Sequence, residues 1–368
     1  MGASAVAGIA VKLRDPFPPH RALASAKVPA IDYGFMLMRS GSAQFTVSRA
    51  DDNSPYSWAQ GNMVSVERSD GLLPWYGFIT NRQLDSESGS AQITAVDYAG
   101  ALFERAATPK DWPQEKKSAG EWVRSLGLWA NRGRPPLLVD VRGVIGGGPV
   151  QFAPAAESFT SLLDTMARSA DWEWAVRYEG IDGPQHRAAL VFSERVGRDL
   201  SRQVVFQEGR HFARARMTED AQGVLENAIA LGGSGAVSGR AAVAVNPSST
   251  GAPGVDGFPL IGLKTTPSSP ALAGTRVAIE QAVTNKEALA KMAQNLHHAA
   301  DSVVEQVSFT IAETETDMRL LEVGSLYGVR FADLSLGLAV HRKVRLIALK
   351  LSTDGQHDIE AEVLSSAA

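Results

Sequence analysis

The chain contains no cysteine among its 368 residues. That absence excludes disulfides, Cys-ligated zinc, iron–sulfur clusters and thiol catalysis together, and it suits synthesis in a reducing cytoplasm. An excess of positive charge is missing too. Lys and Arg number 36 against 40 Asp and Glu, a formal charge of -4, which disfavours tight nucleic-acid binding by phosphate neutralisation. Long apolar runs are absent; Leu334–Val340 is far too short to span a membrane. In residues 1–14, Lys12 and Arg14 follow the apolar residues, the reverse of a signal peptide. Val6 stands where the myristoylation pattern opened by Met1-Gly2 needs Ser or Thr. This stretch reads as a first strand or an arm, with no membrane anchor.

Catalytic signatures are equally sparse. His297 and His298 sit side by side on a predicted helix, point to different sides of it, and lack the His-Glu-x-x-His spacing of a zinc site. Glu313, Glu315 and Asp317 alternate along a short stretch. They read either as oxygen ligands for a divalent cation or, preferably, as a solvated edge that discourages strand addition. Gly232-Gly-Ser-Gly235 and Gly146-Gly-Gly148 lack both the Lys-Ser/Thr of a phosphate loop and dinucleotide spacing, and read as turns. No Gly-x-Ser-x-Gly elbow occurs. Trp58, Trp75, Trp122, Trp129, Trp172 and Trp174 fall mostly on predicted strands or helix faces, where core packing is favoured over a carbohydrate platform. No catalytic, cofactor-binding or metal-ligating residue is assigned, and no enzyme is expected.

What the sequence does contain is strands. Ala43–Val47, Gly61–Glu67, Pro74–Ile79 and Ser90–Val96 alternate apolar with polar residues between Gly-, Pro- and Ser-rich turns. A short helix is expected over 97–105. Ser118-Ala-Gly-Glu121 forms a capping box that opens a helix to Trp129. Ser158 caps a second helix, whose Phe159, Leu162, Leu163 and Met166 share one face. Trp172–Tyr178 and Ala188–Phe192 follow as strands. Residues 232–270 turn Gly-, Ser- and Pro-rich and read as a long loop. Thr284-Asn-Lys-Glu287 caps a helix over 285–300, and strands close the chain from 303 to 364. The expectation is a mainly β protein with an α+β insert: a first tube-like β module over 1–105, an inserted α+β domain over 106–205, and a second β module over 206–368.

The two ends repeat each other. Phe45-Thr-Val47 answers to Phe309-Thr-Ile311, and Gly61–Val66 to Gly324–Val329. Ile79 and Leu84 answer loosely to Ile347 and Leu349, and Gln92–Val96 to Asp358–Val363. The spacing from Phe45 to Gly61 is 16 residues, and from Phe309 to Gly324 it is 15.

Taken in order, these motifs carry a family resemblance. Gly41–Val47, Gly61–Val66 and Pro74–Ile79, then the Ser158 helix with Trp172–Tyr178, then Asn227–Gly233 and the Leu321–Gly324 step, resemble the tail hub proteins of long-tailed phages. The resemblance implies a trimer with two β-barrel modules per chain, forming a pseudo-hexameric ring at the tail tip or baseplate. Implied partners are further copies of the chain, a distal tail or tail tube ring, the tape measure protein, and tail fibre or receptor-binding proteins. DNA would meet the channel only in transit, and a slightly acidic protein would not hold it. No cofactor is implied. The implied location is the virion tail tip, after assembly in the cytoplasm of the bacterial host. Because the second β module ends near Ala368, a minimal hub without its own wall-degrading enzyme is expected. A hexameric distal tail protein, a β-rich cell-wall hydrolase and a carbohydrate-binding module are the alternatives.

Overall fold

The computed structural model describes residues 9–15, 21–26, 28, 30–48, 58–69, 74–103, 115–130, 137–142, 158–179, 187–220, 225–232, 241–245, 274–280, 304–312, 316–333 and 338–364. Strands β1 (Ile9–Arg14), β2 (Ala22–Ala26), β3 (Ile31–Met36), β4 (Ser42–Ser48), β5 (Met63–Arg68), β6 (Trp75–Asp85) and β7 (Ser90–Asp97) come first, followed by α1 (Tyr98–Phe103). An α+β unit follows: α2 (Ala119–Ala130), β8 (Leu137–Arg142), α3 (Phe159–Ala170), β9 (Glu173–Glu179) and β10 (Arg187–Ser193). Then come β11 (Val205–Gln207), β12 (Phe212–Asp220), β13 (Leu225–Gly232), β14 (Ala241–Val245) and β15 (Gly274–Glu280). The chain closes with β16 (Val304–Ala312), β17 (Leu326–Asp333), β18 (Leu338–Ser352) and β19 (Gln356–Val363). The fold is mainly β, with a small α+β part.

Local chemistry explains the two long helices among the described residues. Ser118 and Glu121 exchange hydrogen bonds: the Ser118 amide donates to Glu121 Oε2 at 2.8 Å, and the Glu121 amide donates to Ser118 Oγ at 3.4 Å. Ser158 Oγ accepts from the Ser161 amide at 3.1 Å. Each pairing satisfies a first-turn amide that has no partner inside the helix. Trp122, Leu126, Phe159, Leu162, Leu163 and Met166 are all buried. They pack on β8–β10, where β10 lies parallel to β8 and antiparallel to β9.

The two ends of the chain share one strand order. In the first, β4 pairs with β7, β7 with β6 and β6 with β5; in the second, β16 pairs with β19, β19 with β18 and β18 with β17. The register matches as well. Phe45 faces Ile93 as Phe309 faces Ile359. Gly61 donates its amide to the Ile79 carbonyl at 2.8 Å, and Gly324 donates to Leu346 at 2.7 Å. The Ile79 amide returns to Asn62 O, as the Leu346 amide returns to Ser325 O. A one-residue bulge follows in both, between Ile79 and Asn81 and between Leu346 and Ala348. Ile79 therefore answers to Leu346, not Ile347. Counting on past the bulge, Leu84 answers to Leu351, not Leu349. Sequence similarity alone does not register a bulge, and each bulge moves the pairing by one residue.

One further difference concerns the expected loop over 232–270. Within it, Ala241–Val245 is a strand paired antiparallel with β13. The β-branched Val243 and Val245 favour a strand despite the Gly- and Ser-rich surroundings. The predicted helix over 285–300 lies outside the described residues.

Gly61 and Gly324 both adopt positive φ, 84° and 88°, a region where a Cβ is strained. A Cβ on Gly61 would meet nothing within 4 Å, whereas one on Gly324 would lie 2.5 Å from the Val196 carbonyl oxygen. Gly61→Ala is expected to cost about 1 kcal/mol and Gly324→Ala about 3 kcal/mol. Paired denaturant melts check the difference.

Candidate assembly interface

The two β modules are joined edge to edge. β3 pairs antiparallel with the C-terminal half of β18, with Tyr33 opposite Leu351 and Phe35 opposite Leu349. The result is one 13-stranded sheet. Tyr33, Leu349 and Leu351 are buried in a single apolar cluster that draws on both modules. Two backbone bonds continue the seam: the Leu37 amide donates to Ile347 O at 2.9 Å, and the Met38 amide donates to Trp174 O at 3.0 Å.

The α+β unit grips both modules through chemically different contacts. Towards the first, Tyr76 and Phe78 from β6 and Met63 from β5 enter the same cluster as the faces of α2 and α3. The Tyr178 hydroxyl donates to Tyr76 O at 2.7 Å. Towards the second, the contact is ionic. Glu173 and Arg345 are both buried and form an ion pair. Glu173 also accepts from the Val196 amide at 3.0 Å and from Arg195 at 3.3 Å. Arg177 meets Glu322 at 2.6 Å, and Lys343 meets Asp199 at 2.7 Å.

Where the three parts meet lies a cavity of about 60 Å³, lined among others by Phe35, Asp97, Tyr178, Leu321 and Leu349. Asp97 accepts from the Gly41 amide at 2.7 Å, Ser40 Oγ at 2.9 Å and the Gly100 amide at 3.0 Å. It thereby caps α1 and holds the turn after β3. A second, more open cavity of about 640 Å³ carries Arg142, Arg177, Arg195, Arg198 and Arg319. Each of these arginines has a carboxylate within reach: Asp140, Glu322, Glu173, Glu322 again and Asp317. Five arginines thus share four carboxylates, one of which also pairs with Arg345, so most of the positive charge in the groove is offset from within the chain.

The residues singled out in the sequence do not converge. Trp58, Trp75, Trp122, Trp172 and Trp174 are buried, as core packing requires. The Trp129 side chain, His297, His298, Glu313, Glu315 and the Gly146 and Gly233–Gly235 turns lie outside the described residues. Asp317 caps a single 3-10 turn over Met318–Leu320 and pairs with Arg319 at 2.8 Å. Among the described residues no three His, Asp or Glu side chains are placed to hold a metal ion, and no helix is long and apolar enough to cross a membrane. Sequence reasoning missed Glu173, Arg345 and Asp97. The one available signal was Glu173 itself, a carboxylate between two tryptophans that a half-buried strand would turn to water.

No protein-family model and no curated protein matches the chain. Solved structures do. The 43 kDa tail protein of prophage MuSo2 from Shewanella oneidensis superposes with a TM-score of 0.61 at 14% identity, over 97% of this chain and 98% of that one. A tail protein from Neisseria meningitidis MC58 gives 0.59 at 14% identity, over 97% and 96%. Prophage tail protein gp18 from Listeria monocytogenes EGD-e gives 0.55 at 11% identity, over 98% and 95%. The chain has the fold of prophage tail proteins.

Two properties of this tail-protein fold are open to test. Removing one member of the buried Glu173–Arg345 pair strands the other charge, so Glu173→Ala is expected to cost about 3–5 kcal/mol. Glu173→Leu combined with Arg345→Leu recovers most of that loss in urea melts. Asp97 generates the second prediction. Burial pushes its carboxyl up to about 6, against the hydrogen bonds from Gly100, Gly41 and Ser40 that pull it down. The folded protein thus binds this proton more tightly than the unfolded chain, whose ordinary value is 3.8. Its stabilising contribution is complete below the unfolded value and is lost as pH rises through the folded one. Between pH 4 and 6 this group costs on the order of 3 kcal/mol of stability. Asp97→Asn removes that component from a pH series of denaturant melts.

Proposed function

We propose that this chain is a structural hub of a phage tail, acting as a homotrimer and not as an enzyme. Each chain brings two equivalent β modules, so three chains present six similar units around a channel. Such a ring would match a three-fold tip to a six-fold tail tube. In this reading the first module spans residues 1–105, the inserted domain 106–205 and the second module 206–368. The tube or distal tail ring docks on one face of the ring. The tape measure protein and then DNA pass through the channel, and fibres or receptor-binding proteins attach outside. The location is the virion tail tip.

The observation that carries the proposal is the duplicated pairing order with matched register and matched bulges. A chain that needed only one ring-forming unit would not carry two joined edge to edge. The tail-protein fold of the solved neighbours supports the same class. Mass measurement of the purified chain by light scattering is expected to give three chains per particle. Six chains would point to a distal tail ring instead, and a monomer at tens of micromolar would overturn the trimer.

A further inference from the structure

The internal repeat leaves one edge unmatched. The C-terminal half of β18 is flanked by β19 on one side and β3 on the other. The corresponding half of β6 is flanked by β7 alone: β5 reaches only to Phe78, and no strand among the described residues pairs with the outer edge beyond Ile79. Side-chain burial records the difference. Leu351 is fully buried beneath its seam partner, whereas its counterpart Leu84 is 65% exposed. An exposed leucine on an open strand edge is a liability unless something covers it.

The strand equivalent to β3 is β12. Ile31 faces Phe45 as Ala215 faces Phe309, and Tyr33 faces Ala43 as Met217 faces Val307. β3 uses its outer edge to join β18. β12 stands last in the sheet; Phe212 at its start bridges Glu208, and beyond Phe212 no strand among the described residues pairs with its outer edge. One chain therefore carries two complementary half-seams, a β6 edge lacking its β3-like partner and a β12 edge lacking its β18-like partner.

We infer that β12 of one copy pairs antiparallel with the C-terminal half of β6 of the next, reproducing the β3·β18 seam between chains. The internal seam sets the register. Tyr33 opposite Leu351 becomes Met217 opposite Leu84, and Asp32 opposite Ser352 becomes Arg216 opposite Asp85. Gly34 opposite Lys350 becomes Thr218 opposite Gln83. This register is chemically consistent. Met217 is half-buried against the shared core, as Tyr33 is buried, and meets the exposed Leu84. Arg216 and Asp85 are both exposed and of opposite charge, and an opposite-charge cross-strand pair is favourable. The two half-seams lie on different strands, so the contact is head-to-tail. Such a contact fills every one of these half-seams only when the copies close into a ring. This inference rests on the trimeric reading above and names the surface that would hold it together.

The absence of native cysteine makes a direct test available. Residues directly opposite in an antiparallel pair lie within disulfide reach. The full-length double variant Met217→Cys/Leu84→Cys, oxidised mildly, is expected to run as a three-chain species on a denaturing gel, while either single variant stays a monomer there. A particle of three chains by light scattering with no crosslink would overturn the edge pairing and leave the trimer standing. Crosslinked species longer than three chains would uphold the pairing and overturn the ring of three. A monomer without crosslinks would overturn both. Charge reversal gives an independent readout: Arg216→Asp is expected to lower the trimer fraction about tenfold, and adding Asp85→Arg to restore it. Failure of the second change to restore it would refute the register.

Discussion

A five-residue antiparallel contact between β3 and β18 holds the architecture together. It joins strands more than three hundred residues apart in the chain, and it converts two β meanders into one sheet with one core. Without it, Tyr33, Leu349 and Leu351 would lie on sheet edges. With it, they are the centre of a common apolar cluster. The geometry of the seam also sets where the α+β unit sits, because Met38, at the end of the seam, bonds directly to Trp174 of β9.

The two β modules are equivalent in pairing but not in surface. Phe78 and Arg345 hold matching positions, one residue before Ile79 and Leu346. Phe78 enters the apolar cluster under α2 and α3, and Arg345 meets the buried Glu173. A single α+β unit touching two copies of one module must meet them with different surfaces, so the copies diverge where it touches them. Burial of an ion pair adds little net stability, because desolvation offsets the attraction, but a mispaired charge there is costly. The ionic side of the contact thus favours one placement of the unit over others. The apolar side supplies most of the driving force through area removed from water.

Much of this was legible in the residues. The Ser118–Glu121 box and the Ser158 cap depend on contacts three residues apart, and both form as read. The repeat was legible because Phe45 and Phe309, Gly61 and Gly324, and Ile93 and Ile359 keep their type and spacing. The bulges were not, since an extra residue on one strand shows only against its partner. Glu173 was misleading for a related reason. The alternation of Trp172–Tyr178 fits a strand with one wet face, yet on that face Glu173 and Arg177 pair with Arg345 and Glu322 of the second module. The strand at Ala241–Val245 was hidden by the composition around it.

The sequence by itself determined the class of structure, the starts of α2 and α3, and the existence of two similar β modules. The first two follow from periodicities and caps that act within a few residues, and the repeat follows from residue types kept at matching spacings. The tertiary structure alone decided that the modules share a sheet, which of their edges is used up inside the chain, and which charges are buried between them. Those outcomes depend on pairing between distant strands. Backbone hydrogen bonds form with any side chain except proline, so the residues on an edge do not name their partner.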